Sequence, residues 1–221
     1  MPQAQDREPV ILGSAAPRAI EWAAETILEG GVIALPTDTV YGIAASLTHP
    51  AALERIFEIK GRDLTKTLPI LVASPEELAH LATGLDERVS LLLDRFWPGP
   101  LTMVVTAAPG LPSAVVAPDG TIGVRMPNHS LAIEVIAKAG DAVACTSANR
   151  SGMPPARTSA EVAATIGRAI DLTLDGGIAP GGVPSTVLAI RDGQPVLLRE
   201  GAIGAAEIAA AWEELLLDPD L

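Results

Sequence analysis

The apolar positions of this chain change their period repeatedly, and each change marks an element. Between 17 and 29, Ile20, Ala23, Ala24, Ile27 and Leu28 recur at three- and four-residue spacing, which predicts a helix, and Gly30-Gly31 supplies its stop. Val32-Ile33-Ala34-Leu35 is a short apolar run closed by Pro36 and reads as a buried strand. A polar loop over 37–42 then leads to a second helix expected near 50–59, and 68–73 reads as the next strand. Ser74-Pro75-Glu76-Glu77 combines an N-cap residue, a proline at the first helical position and a capping-box glutamate, so a helix is expected to start there. Strands follow at 101–106, 121–125 and 142–145, with a helix over 130–139 between the last two. Thr158-Ser159-Ala160-Glu161 is a second capping box. Three late strands are expected at 170–174, 186–190 and 195–198, the last two joined by the Asp192-Gly193 hairpin signal, before an amphipathic helix over 205–217. There is no internal repeat, linker or low-complexity block, so the expected fold is one α/β domain whose twisted mixed sheet is flanked by helices.

Composition narrows the function classes. Hydrophobic residues make up 48% against 19% charged, which excludes disorder for the bulk of the 221 residues. Six aromatic residues cannot build the stacking platform of a single-strand binder. Lys+Arg 15 against Asp+Glu 27 leaves a net charge of −12, which opposes a surface made for duplex DNA or anionic lipid, so any anionic ligand must be held locally. One cysteine, Cys145, permits no intramolecular disulfide and no cysteine-based zinc site, and fits a reducing cytoplasm. His49, His80 and His129 lack metal-ligand spacing. Asp6, Arg7 and Glu8 precede any apolar run, unlike a signal peptide, and the uncharged stretch 96–118 carries five prolines, so it reads as a buried strand plus a loop and no membrane span is expected.

Three segments could carry chemistry. Two of the three lysines, Lys60 and Lys66, fall with Arg62 in a basic island of an acidic chain. It reads either as a solvated helix end complementing the C-terminal dipole or as a clamp for phosphate or carboxylate. The loop 36–42 holds two threonines, Asp38 and the sole tyrosine after a buried strand, where ligands of open α/β sheets gather; the competing reading is a plain Asx or ST turn. The loop Thr146-Ser-Ala-Asn-Arg-Ser-Gly152 repeats that pattern and could cradle a phosphate. P-loop, dinucleotide and nucleophile-elbow patterns are absent.

Seven strings in order, Pro36-Thr-Asp-Thr-Val-Tyr-Gly42, Lys60-Gly-Arg62, Phe96-Trp-Pro-Gly-Pro-Leu-Thr102, Gly123-Val-Arg-Met-Pro127, Ser147-Ala-Asn149 with Ser151-Gly152, Pro184-Ser-Thr-Val187 and Arg199-Glu-Gly201, resemble the YrdC-like threonylcarbamoyl-AMP synthase family in its short, single-domain form. The resemblance spans about 15–205, which sets apart 1–14 as an N-terminal extension and 206–221 as a C-terminal helix and tail. It implies a nucleotidyltransferase of the cytoplasm that joins L-threonine, bicarbonate and ATP into threonylcarbamoyl-adenylate and pyrophosphate for N6-threonylcarbamoyladenosine at tRNA position 37. Carried over by position, it implies that Lys60 and Arg62 are catalytic and that Lys60, Arg62, Lys66, Thr121, Ser147, Asn149, Pro155 (through its backbone) and Arg199 contact ATP. Thr39, Arg125, Cys145 (through its backbone) and Ser185 would hold threonine. ATP would arrive with Mg²⁺ held mainly by its triphosphate, and the product would pass to a downstream threonylcarbamoyl transferase complex, with direct tRNA binding weak or absent. Leu71 departs from the members that place a histidine there. Two other readings accompany this one: an RNA-binding or ribosome-maturation module of the same fold, which the charge opposes, and a carbamoyl-adenylate step in hydrogenase maturation, which belongs to much longer chains.

Overall fold

A computed structural model describes residues 8–61, 66–85 and 87–216. Its elements run β1 (Ile11–Gly13), α1 (Ala19–Leu28), β2 (Ile33–Leu35), β3 (Gly42–Ser46), α2 (Pro50–Lys60), β4 (Ile70–Val72), α3 (Leu78–Leu81), α4 (Glu87–Phe96), β5 (Leu101–Thr106), β6 (Thr121–Arg125), α5 (Ser130–Lys138), β7 (Ala142–Ser147), α6 (Ser159–Thr165), β8 (Leu172–Asp175), β9 (Thr186–Arg191), β10 (Gln194–Arg199) and α7 (Ala205–Leu216). All ten strands join one mixed sheet in the order β1-β8-β2-β3-β7-β4-β6-β5-β9-β10. The expected α/β architecture with a mixed sheet is therefore the observed one. No helix of the described residues is long and apolar enough to cross a membrane, and the uncharged stretch contributes β5 and the turns that follow it.

The apolar runs are continuous because the central strands are buried on both faces, so alternate residues enter different cores. Val32, Ala34, Ile43, Ala45, Ile70, Val72 and Ala144 face the larger core, which also holds buried residues of α2, α4, α6 and α7. Ile33, Leu35, Ala44, Leu71, Val143 and Cys145 face the other, beneath α1 and α5. That second core draws its strand residues from β2, β3, β4, β7 and β8, with Leu12 of β1 packed against it, and takes none from β5, β6, β9 or β10. On β5 and β6 the corresponding positions are polar or small, Thr102, Val104 and Thr106 beside Thr121, Gly123 and Arg125, while Met103, Val105, Ile122 and Val124 enter the larger core. The polar half of that face is the floor on which the site is built.

Several local expectations need correction. Two elements carry no expectation: β3, which starts where the 37–42 loop ends, and α4. The capping sequence at Ser74 starts only a 3-10 turn, Pro75–Glu77, followed by the single-turn α3, and the Ser74 side chain makes no cap bond. Ser74 instead hydrogen-bonds the exposed Glu76 carboxylate and holds its pKa down. At Thr158 the box is half formed: Thr158 Oγ1 accepts the Glu161 N–H at 3.2 Å, but the Glu161 carboxylate takes the Arg157 N–H. Within the segment set apart as an extension, β1 pairs with β8 at the sheet edge, and α7 is packed into the larger core through Ile208, Ala211 and Trp212. The hairpin between β9 and β10 turns at Asp192 and Gly193, both at positive φ.

Candidate functional site

A cavity of about 130 Å³ lies over the polar face and takes in the loop at the carboxyl end of β2, where the 36–42 segment suggested a site, together with the last residues of β6, β7 and β10. Cys145, Leu71, Arg125 and Thr102 come from neighbouring strands of the sheet, and Thr37–Val40, Pro184–Ser185 and Arg199 close the sides. Arg125 ends β6 and is buried, with 6% of its surface exposed. Its Nε donates to the Gly99 carbonyl at 3.0 Å, Nη1 to Thr39 Oγ1 at 3.0 Å, and Nη2 to the Asp38 carboxylate. Burial depresses its pKa, and the Asp38 charge works in the opposite direction. Asp38 also accepts the Asn128 N–H at 3.1 Å. Thr37 braces the loop from within, since its Oγ1 donates to Val40 O at 2.7 Å and lies 2.9 Å from Thr39 Oγ1.

Opposite, Ser185 Oγ and Thr102 Oγ1 are 2.8 Å apart. Arg199 Nη2 donates to the Ser185 carbonyl at 2.7 Å and reaches its hydroxyl at 3.2 Å. The Arg199 pKa is lowered first by burial and then by the charge of Arg125, so the two guanidinium groups feel one another across the cavity. Such paired cationic forks are suited to a ligand carrying more than one anionic group.

At the third side, Ser147 ends β7. Buried Lys60, in the last turn of α2, donates from Nζ to the carbonyls of Ser147 (2.6 Å) and Asn149 (2.9 Å) and to Asn149 Oδ1 (2.9 Å). Ser147 Oγ donates to the same Oδ1 at 2.7 Å. Beyond this turn lies a second cavity of about 500 Å³, bordered by Asn149 and walled by Met153, Pro154, Pro155, Ala156 and Arg157. The turn thus touches the small cavity through Ser147 and a larger, mostly apolar one through Asn149.

Of the expected site residues, Thr39, Arg125, Cys145, Ser147, Ser185 and Arg199 line the small cavity. Lys60 and Asn149 stand behind Ser147, and Pro155 lines the second cavity. Thr121 is not brought to them: it opens β6, four residues and roughly 13 Å before Arg125, bonds Asp119 Oδ1 at 2.6 Å, and lines a different cavity with Arg191. Lys66 is exposed, and Arg62 lies outside the described residues. Residues absent from the expected set are Thr37, Asp38 and Thr102; the 36–42 loop carried a signal for the first two, while Thr102 needed the β5–β9 register. Tyr41 is a strut: fully buried, its hydroxyl donates to Gly177 O at 2.7 Å, and burial pushes its pKa up to about 12. Among the described residues no group of three or more His, Cys, Asp or Glu is placed to hold a metal ion.

Cys145 shares in the cavity wall as an inert surface. Burial pushes its thiol up to about 12, against the lowering charges of Arg125 and Lys60, and its backbone N–H is taken by Pro69 O at 2.8 Å. Its sulfur also explains a glycine: a Cβ at Gly42 would come within 2.5 Å of Cys145 Sγ, with Thr146 O next at 3.5 Å. Gly42→Ala is therefore expected to cost about 1–3 kcal/mol by overpacking, and Cys145→Ala to relieve much of it. Denaturant midpoints of the two single variants and the double variant test this; strictly additive effects would mean that the sulfur is not the obstacle.

Known proteins resemble this chain over most of its length. The family model Sua5_yciO_yrdC, described as telomere recombination, matches residues 25–201. The chain is 39% identical over 206 residues to a threonylcarbamoyl-AMP synthase of Pyrococcus abyssi (strain GE5 / Orsay), covering 91% of this chain and 61% of that protein. It is 37% identical over 203 residues to one of Bacillus subtilis (strain 168), covering 91% and 59%. A crystal structure of P. abyssi Sua5 complexed with L-threonine superposes with a TM-score of 0.86 at 37% identity, covering 91% of this chain and 60% of that one. The chain thus spans about three fifths of the length of these relatives.

Proposed function

Because the chain belongs to the Sua5/YciO/YrdC family, we propose that it condenses L-threonine, bicarbonate and ATP into threonylcarbamoyl-adenylate and pyrophosphate, for transfer onto adenosine 37 of tRNA by a separate threonylcarbamoyl transferase complex. The observation that carries this reading is the convergence of Arg125, Thr39, Ser185 and Arg199 on one small cavity, with a second, larger cavity bordering the same Ser147–Asn149 turn. Of the five N–H donors of Arg125, three are committed to Gly99, Thr39 and Asp38. One N–H on each Nη is left for the two oxygens of the threonine carboxylate. The hydroxyls of Thr39, Thr102 and Ser185 offer partners for the substrate hydroxyl, and Val40, Leu71 and Pro69 offer a wall for its methyl group. Leu71 supplies apolar contact where a histidine would supply a polar one.

The chemistry asks for little acid–base help. The threonine amine and bicarbonate form a carbamate with loss of water. A carbamate oxygen then attacks the α-phosphorus, and the bond to pyrophosphate breaks. The nucleophile is already an anion, so the barrier lies in bringing two anions together, which fixed cations and hydroxyls lower by orientation and charge. Arg125 holds the amino acid, Arg199 bridges toward the phosphates, and the Lys60-braced turn presents Ser147 and Asn149 to the nucleotide, whose base would occupy the cavity lined by Pro155. Asp38 is committed to Arg125 and the Asn128 N–H, so Mg²⁺ belongs to the substrate as Mg·ATP, held by phosphate oxygens and water.

The test is pyrophosphate release with threonine, serine or valine at saturating ATP and ¹³C-bicarbonate, with mass detection of the labelled adenylate. Serine loses only a methyl group and should be disfavoured by about 1–3 kcal/mol, valine by more, because it leaves the site's hydroxyl partners unpaired. Valine turning over as well as serine, or no label in an adenylate product, would overturn the reading.

A further inference from the structure

We infer that Thr186, which lies behind the cavity and lines no part of it, is the positioning residue that sets Arg199 over the site. The inference rests on the proposed reading only for its kinetic test. Arg199 is the last residue of β10, the outermost strand, where the pairing with β9 shifts register between Leu197 and Arg199. At the end of an edge strand the backbone is paired on one side only, so the direction of this long side chain is fixed by its grip on Ser185 together with the segment that follows. That segment is tied to one hydroxyl. Thr186 is fully buried, and its Oγ1 donates to Ile203 O at 2.7 Å while accepting the N–H groups of Gly201 and Ile203, both at 3.0 Å. One donor and two acceptors exhaust what a threonine hydroxyl offers.

The same strap is pressed flat against the Pro184–Thr186 backbone. Ala202 N–H donates to Pro184 O at 3.0 Å, and a Cβ at Gly201 would stand 2.4 Å from Pro184 O and 2.5 Å from the Ser185 carbonyl, which only glycine tolerates. Thr186 N–H is itself anchored to Pro100 O at 2.9 Å, at the start of β5. The hydroxyl therefore locks the residues after Arg199 to the residues around Ser185, and Ser185 is the group that the Arg199 guanidinium grips. Register between two cavity-lining residues is set by a side chain behind them both.

Thr186→Val keeps the shape and deletes the hydroxyl. It is expected to reproduce the Arg199→Ala defect, a loss of kcat/KM on the order of 10–100-fold with the threonine and ATP KM values moving as they do in Arg199→Ala. Thr186→Ser should restore function, and in an Arg199→Ala background Thr186→Val should add nothing, since both remove the same thing. A readout independent of turnover is the Arg199 Nε–H resonance and the exchange protection of the Gly201 and Ile203 amides, expected to be lost in Thr186→Val and kept in Thr186→Ser. Multiplying defects in the double variant, or an unaltered Arg199 resonance in Thr186→Val, would overturn the positioning role. An inactive wild-type protein whose Arg199 resonance still responds in this way would instead overturn the proposed activity alone.

Discussion

Replacing Arg125 with glutamine is expected to raise the KM for L-threonine by roughly 10–150-fold, the equivalent of one charge-assisted hydrogen bond at about 1.5–3 kcal/mol. The variant also damages the fold, because Asp38 has only 13% of its side chain exposed and would lose its guanidinium partner. Removing one member of a buried pair costs about 3–5 kcal/mol, whereas replacing both members can be nearly neutral. The informative comparison is therefore with Asp38→Asn/Arg125→Gln, which leaves neither charge behind. Its thermal midpoint should return most of the way to wild type while the threonine KM stays high. A double variant that binds threonine normally would move the carboxylate role to Arg199, the other guanidinium at the cavity. A double variant as unstable as Arg125→Gln would show that Arg125 is held mainly through Gly99 and Thr39, and that Asp38 contributes little.

Much of this architecture is legible in the chain because the signals are local. Ile20 to Leu28 carry one helix face, the Asp192-Gly193 pair turns a hairpin, and the apolar runs at β2, β4 and β7 declare strands. β3 stayed hidden since Gly42-Ile-Ala-Ala-Ser46 is built from small residues, selected by close packing between β2 and β7 rather than by strand propensity. α4 is a different case: Val89, Leu92, Leu93 and Phe96 stand at helical spacing, so the sequence itself carries its signal. Of the site, the polar loops were visible as segments, but their convergence was not. Asp38 meets Arg125 across 87 residues and Lys60 meets Asn149 across 89, and both encounters follow from strand order in the sheet, which no periodicity encodes. The basic island shows the limit most clearly, because its two readings, helix end and anion clamp, both describe Lys60: it closes α2, and its ammonium is turned inward onto a loop.

That inward turn makes Lys60→Met the second variant with a large expected effect, for a reason the charge alone does not give. An ammonium has three protons, and in this structure they meet the carbonyls of Ser147 and Asn149 and Asn149 Oδ1, all within 2.9 Å. A contact from Lys60 to ATP requires one of these oxygens to be given up. Methionine fills the same volume without protons, so two or three acceptors lose their partner at about 1–3 kcal/mol each, and stability should fall by several kcal/mol in all. Because the turn borders both cavities, KM should rise for threonine and for ATP together, by at least about tenfold. Amide exchange separates the two ways in which Lys60 could act. Ser151 N–H donates to the Lys60 carbonyl at 2.9 Å and Met153 N–H to Arg150 O at 3.0 Å, so a lysine that braces the turn leaves both amides less protected when it is removed. If protection at Ser151 and Met153 is unchanged while the ATP KM alone rises, the brace is wrong, and Lys60 acts by turning its ammonium from the loop to the phosphates.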